Sequence, residues 1–339
     1  MKNIVERLKY IDHLKGLAII FVVMGHFIQY NTVESIRNSL FEVIYSFHMP
    51  LFMFISGYVA FKTITDVIFS NYLLFLKKKA ISLLIPFFIW PLIIQPFCFK
   101  HEQLSIIKRG MGLLVNPGAG LWFLWFLFFM SLIYSLFLRI STKQNQSKLI
   151  VFDLVIFLVI FVAVFSMRFV GVINYIDSFC LHLSFFFIGV FVSKYEKLRV
   201  IIMKNIVFAI SIFGFALLSP YYEFISETKI NLIIKCYLSL LAIIILYNVF
   251  RRIDLPGYLD KLFVLFGQNS LIIYVTHFSF IYVLPNQYHI VTLPIFLELI
   301  IPLIFSISII FLCIIIGHVI TLSKFLNLVV YGKMSKSYL

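Results

Sequence analysis

Ten apolar runs, near residues 11–30, 41–61, 80–98, 121–139, 149–167, 172–192, 203–219, 231–250, 262–284 and 293–320, take up most of this chain. Each is close to the roughly 20 residues that carry an α-helix across a bilayer. Nothing between them is long enough for a separate soluble domain. Backbone in hydrocarbon must satisfy its own hydrogen bonds, so such runs become helices or closed barrels. These runs are continuous rather than alternating, which excludes the barrel. Composition agrees: 62% of the 339 residues are hydrophobic and 12% charged, far from the balance of a soluble domain. The expectation is an all-α, polytopic membrane bundle of about ten transmembrane helices, one domain over 1–339. Pro294 and Pro302 predict a tilted or kinked start to the last helix.

The net charge of +14 would suggest nucleic acid in a soluble protein. Here basic residues are expected in cytoplasmic loops instead, and no nucleic-acid partner is expected. With the N-terminus inside, the inner segments hold 20 Lys and Arg and the outer segments 6. That asymmetry predicts an even number of spans with both termini cytoplasmic. The first span reads as a retained helix rather than a cleaved leader, because no small-residue cleavage site follows it. The largest outer loop, 99–120, carries the turn Asn116-Pro117-Gly118 and is expected to lie along the surface as a lid. Cys98, Cys180, Cys236 and Cys313 show no metal-ligand spacing and read as packing residues.

Ionisable groups inside apolar spans are costly and mark candidate sites. The first span carries Asp12, Lys15 and His26. Lys15 and His26 are eleven residues apart, which places them within about 20° of one helix face and roughly 16 Å apart along the axis. Asp12 lies one turn before Lys15 and can pair with it. Counting 1.5 Å per residue, His26, His48 and His277 reach comparable depths in the outer half of the membrane. A neutral imidazole there can take a proton from a hydroxyl. The bland alternative is that each histidine merely bonds a neighbouring helix, with His48 filling the backbone gap that Pro50 opens. A metal held by the three lacks supporting carboxylates and is not expected.

Lys15 either grips a phosphate-bearing ligand or snorkels to the inner interface. Lys78 and Lys79, in the run Lys77-Lys78-Lys79, either anchor topology or attract an anionic donor. Glu42 is a candidate orienting acid or a solvated helix start. Trp122 and Trp125 read as interfacial belt aromatics, with sugar stacking the sharper role for Trp122. Tyr274 accompanies His277 in Tyr274-Val275-Thr276-His277. Three classes of function stay open on these residues alone: group transfer to a hydroxyl, transport of a glycan or lipid-linked sugar, and a structural or sensor role. Intramembrane polar residues also suit a transporter, although no internal repeat is evident.

Tyr10-Ile11-Asp12-His13-Leu14-Lys15-Gly16-Leu17-Ala18, followed by Gly25-His26, resembles the opening of acyltransferase family 3, in which a basic residue, ten residues and a histidine share the first helix. Phe47-His48-Met49-Pro50-Leu51-Phe52-Met53-Phe54-Ile55-Ser56-Gly57-Tyr58 is similar to the second-helix signature of the fucose 4-O-acetylase-like branch. Leu121-Trp122-Phe123-Leu124 and Asn269-Ser270-Leu271-Ile272-Ile273-Tyr274-Val275-Thr276-His277 resemble weaker family segments. The resemblance implies a bacterial inner-membrane O-acyltransferase. It would move an acyl group, often acetyl from acetyl-CoA, to a hydroxyl of a surface polysaccharide or its lipid-linked precursor, with His26 and Lys15 at the family's motif positions. His48 joins His26 as a catalytic candidate. Asp12, Lys15, Lys78 and Lys79 are expected on the donor side, and Glu42, Trp122, Tyr274 and His277 on the acceptor side. One departure stands out: many members carry Arg-x-x-Arg ahead of the third helix's proline, whereas Lys79-Ala80-Ile81-Ser82 precedes Pro86 here.

Overall fold

The computed structural model describes residues 8–33, 38–63, 72–95, 105–141, 149–170, 175–226, 228–286, 288–290 and 294–333. Cys98 and His101 lie outside them, as do Arg37, Lys100, Lys143 and Lys148 of the loop count. The described residues are helical: α1 (Lys9–Asn31), α2 (Ser39–Thr63), α3 (Tyr72–Ile89, continued by a π turn over Trp90–Ile94), α4 (Ile106–Val115), α5 (Trp122–Ile140), α6 (Leu149–Ser166), α7 (Ile176–Lys194), α8 (Glu196–Ile202), α9 (Asn205–Leu218), α10 (Lys229–Arg252), α11 (Gly257–Gln268), α12 (Ser270–Ile281), α13 (Ile295–Leu322) and α14 (Lys324–Tyr331). Among them the extended pairing is confined to an isolated bridge between Thr32 and Tyr288.

The protein is an all-α polytopic membrane bundle. Among the described residues, seven helices are long and apolar enough to cross a bilayer, and two bent pairs bring the number to as many as nine. Nine of the ten apolar runs coincide with these; the run near 80–98 falls on α3 and its π turn and continues past the described residues. One bent pair is α11 and α12, inclined by 80° at Asn269, whose φ of −97° and ψ of 8° interrupt the helix. The run 262–284 is therefore two short helices rather than one continuous helix. In contrast, α13 is unbroken from Ile295 to Leu322 with Pro302 inside it.

The chain divides into two compact units, one of Met1–Ile55 and Val200–His318, the other of Ser56–Arg199 and Val319–Leu339. In the first unit α1 packs most extensively on α11. Glycines make that approach possible: a methyl added at Gly16 would overlap the Phe263 carbonyl of α11, and one at Gly267 would overlap the Asp12 carbonyl of α1. Small residues that admit a neighbouring backbone are the usual means of joining helices in lipid, where burial of apolar surface supplies no drive. Helix α10 is capped by Thr228, whose hydroxyl accepts from Asn231 N at 3.2 Å, and it ends on Arg251 and Arg252, cations favoured at a helix C-terminus.

The second unit holds an aromatic core that includes Tyr134, Phe137, Phe186 and Phe187, and a buried ionic network. Lys194 Nζ donates to Asp153 Oδ2 at 2.6 Å and to Ser141 Oγ at 2.8 Å. Ser141 donates to Asp153 Oδ1 at 2.7 Å, and Tyr195 OH to Oδ2 at 2.5 Å. Lys194 and Asp153 are 2% and 0% exposed, so the pair is tolerable only because the other oxygen and proton sites are filled. Helix α4 is the described part of loop 99–120. It exposes Ile106, Ile107, Met111, Leu114 and Val115 and buries Leu113.

Candidate functional site

Helices α1, α2 and α12 of the first unit link three histidines and one tyrosine in a row of ring contacts. The ring of His26 lies 5.3 Å from that of His277, nearly parallel at 27°. Tyr45 stands between His26 and His48, 6.1 Å from the former and 4.7 Å from the latter. The equal depths counted along three helices thus become a cluster. His26 is half-buried, while His48 and His277 are buried at 3% and 0% exposure.

The hydrogen bonds decide which nitrogen of His26 is free. Tyr45 OH donates to Gln29 Oε1 at 2.5 Å. With that proton committed, His26 Nδ1 donates to the Tyr45 oxygen at 3.1 Å and faces Gln29 Oε1 at 3.3 Å. The lone pair is left on Nε2, the arrangement in which a second partner fixes the tautomer of a working imidazole. Gly25 explains why the neighbouring position is small: a Cβ there would stand 2.8 Å from Tyr45 Cε2 and 3.3 Å from Ile44 Cγ2. Gly25 admits the tyrosine that holds His26.

His48 and His277 hold their own Nδ1 protons inside their helices, on Ile44 O at 2.8 Å and Ile273 O at 3.0 Å. His48 does not fill the gap left by Pro50. The carbonyl that Pro50 cannot satisfy is Ser46 O, four residues back, and Ser239 Oγ of α10 donates to it at 2.7 Å. Nε2 of His277 is buried without a hydrogen-bond partner. Buried acceptors are rarely left so. Tyr274 is buried with its ring 6.0 Å from His277.

At the Tyr30 end of α1 the frame is rigid. Asn31 Nδ2 donates to Ile281 O and Leu284 O, both at 2.9 Å, while Val33 N donates to Tyr288 O at 3.0 Å and Tyr288 N to Asn31 O at 3.2 Å across the bridge. Glu42 contacts no histidine at hydrogen-bond distance in the observed bonds; Oε1 accepts from Phe224 N at 3.4 Å. Phe224 in turn packs 4.9 Å from Tyr45. Its loop is clamped by Asn231, which bonds Glu223 N, Glu223 O and Ser226 O. Burial pushes the Tyr222 hydroxyl in this loop up to about 12, with the charge of Glu42 adding to the shift.

Toward the other end of α1, Asp12 is buried and Lys15 half-buried. Next to them His13 Nε2 bonds Asp260 Oδ1 at 2.9 Å and Lys9 approaches Oδ2 at 3.6 Å. A cavity of about 520 Å³ opens there, lined by Lys9, Tyr10, His13, Arg251, Asp254 and Asp260 among others. In the second unit Lys78 and Lys79 are half-buried on α3. Trp122 lies 5.0 Å from the His182 ring. Among the described residues no three of His, Cys, Asp and Glu gather as metal ligands. The sequence reading missed Tyr45 and Gln29. The available signal was spacing: Gln29 lies one turn beyond His26, and Tyr45 one turn before His48.

A family profile described as an acyltransferase domain matches residues 8–318. The Nodulation protein NolL of Sinorhizobium fredii is 35% identical over 136 residues, covering 37% of this chain and 35% of that protein. The protein of the same name from Mesorhizobium japonicum is 29% identical over 143 residues, covering 40% and 36%. The chain thus spans about a third of the length of these relatives. No solved structure matches it.

Proposed function

Because the chain belongs to acyltransferase family 3, we propose that this multi-pass membrane acyltransferase moves an acetyl group from acetyl-CoA to a hydroxyl of a surface polysaccharide or its lipid-linked precursor. It acts as one domain in the bacterial inner membrane, with both termini cytoplasmic. The observation that carries the reading is His26, whose Nδ1 is held by Tyr45 and Gln29, so that the lone pair lies on Nε2.

Donor and acceptor meet at His26 from opposite ends of α1. The phosphates of the donor are held by Lys15, with Asp12 orienting it; on the second unit, Lys78 and Lys79 attract the anionic donor. Lys15 lies about 16 Å along the axis from His26. The diphosphate-to-sulfur arm of coenzyme A has about thirteen bonds, and at the roughly 1.2 Å per bond of an extended chain it spans that interval. Nε2 of His26 takes the proton of the acceptor hydroxyl as its oxygen attacks the thioester carbonyl. The carbon–sulfur bond breaks, and the proton passes to the departing thiolate, giving an O-acyl ester and free thiol. In the covalent variant the acyl group rests on His26 before the hydroxyl takes it. His48, behind Tyr45, steadies that side of the site. Nε2 of His277 receives a hydrogen bond from a second hydroxyl of the acceptor and so orients it, with Tyr274 beside it. Glu42 is assigned to the acceptor side; on the second unit, Trp122 offers a ring on which a sugar can stack.

The test is thiol release by purified protein in nanodiscs supplied with acetyl-CoA. Release that rises with an added glycoside, with acetyl recovered on the sugar, supports the reading. Acetyl-CoA left intact with every glycoside, while a different acyl thioester is consumed, would replace the donor.

A further inference from the structure

Beyond His26, at the end of α1, two exposed tyrosines stand side by side. Tyr30 is 38% exposed and Tyr282 44%. Their rings meet edge to face at 5.6 Å. Phe278 lies under both, 6.0 Å from Tyr30 and stacked on Tyr282 at 5.6 Å. The same Phe278 ring is 4.6 Å from His26 and 4.4 Å from His277. Tyr30 itself is 6.1 Å from His26, one helical turn away. The exposed aromatic surface is therefore continuous with the imidazole pair.

This surface is also fixed in place. Asn31, next to Tyr30, ties α1 to the carbonyls of Ile281 and Leu284, which flank Tyr282. Preorganised aromatic rings hold a ligand with little ordering cost. Rings bearing hydroxyls at their edges offer an apolar face and polar rim, the chemistry that a sugar ring presents in reverse: C–H bonds on one face and hydroxyls around the edge.

We propose that Tyr30 and Tyr282 form the acceptor platform, on which a pyranose ring stacks with one hydroxyl directed past Phe278 to His26. The proposal rests on the acyl-transfer reading and names the seat of its acceptor. It differs from a membrane-belt role, in which the same tyrosines would merely sit among lipid headgroups. Phe278 is the floor of the platform and sets how deep the ring descends.

The experiment is saturation-transfer NMR of the nanodisc protein with a panel of p-nitrophenyl hexosides and 6-deoxyhexosides. The expected result is transfer to ring C–H protons of at least one glycoside in the wild type. It falls by about three- to tenfold in Tyr30→Ala and in Tyr282→Ala, in line with the loss of one aromatic contact. It persists in Tyr30→Phe and in His26→Ala. A panel in which no glycoside binds the wild type overturns the platform, and so does binding unchanged in both alanine variants. If the wild type binds a glycoside but releases no thiol from any acyl thioester, the acyl-transfer reading fails instead, and the binding measurement does not depend on it.

Discussion

His26 and His277 lie ring against ring, 5.3 Å apart and 27° from parallel, yet their nitrogens are treated differently. His26 shares its Nδ1 with two side chains. His277 gives Nδ1 to its own helix and keeps a buried Nε2 without partner. If that lone pair receives a neighbouring hydroxyl of the acceptor, the ring alone is not enough. His277→Phe keeps the stack and should still lower kcat by about tenfold or more, the worth of one hydrogen bond that orients the bound acceptor. Steady-state kinetics near wild type in His277→Phe would reduce His277 to a packing ring.

Tyr45 and Gln29 act through His26 rather than on substrate. Tyr45→Phe leaves Nδ1 with Gln29 alone, and Gln29→Ala leaves it with Tyr45 alone. Each should lower kcat by about three- to tenfold with both KM values little changed, and the double variant should lose more than either. Gln29→Glu, which restores an acceptor oxygen, should recover part of the loss. Gly25→Ala should mimic Tyr45→Phe by displacing the ring 2.8 Å from the added methyl. A rise in KM with kcat unchanged in these variants would mean that they hold substrate.

Lys15 tests the donor side. Lys15→Ala should raise the KM for acetyl-CoA by about tenfold while leaving kcat near wild type, the signature of binding shared by ground and transition states. Lys15→Arg should retain most of the affinity. A snorkelling role alone would leave both parameters unchanged and show itself only in membrane yield.

The buried pair in the second unit should govern stability rather than chemistry. Asp153→Ala leaves Lys194 charged and 2% exposed, at a cost of about 3–5 kcal/mol. Thermal unfolding of the solubilised protein should show a fall in Tm. The double variant Asp153→Leu with Lys194→Met should recover much of it, because it removes both charges at once. A single variant as stable as wild type would mean that water reaches the site.

The sequence told most about what depends on counting along one helix. The rise per residue placed His26, His48 and His277 at one depth, and these are the imidazoles that gather. It told least about what depends on how one helix is rotated against another. The link from Tyr45 to His26, the filling of the Pro50 gap by Ser239 and the pairing of Glu42 with Phe224 N cross between separate segments, and no local pattern encodes them. The bend at Asn269 was hidden for another reason: hydropathy runs straight through it, while the backbone does not. Lys194 illustrates the same limit, since a cation at a helix end reads as a topology signal until Asp153 is seen beside it.

The central claim is that Nε2 of His26 takes the acceptor proton. The direct measurement is single-turnover acetyl transfer from acetyl-CoA to a bound glycoside by wild type and His26→Ala in nanodiscs, with insertion checked in parallel. General-base help is worth about 10²–10⁴-fold, so transfer in His26→Ala should fall by at least about a hundredfold while the variant remains folded in the membrane and still binds the glycoside. Transfer within a few fold of wild type would contradict the account.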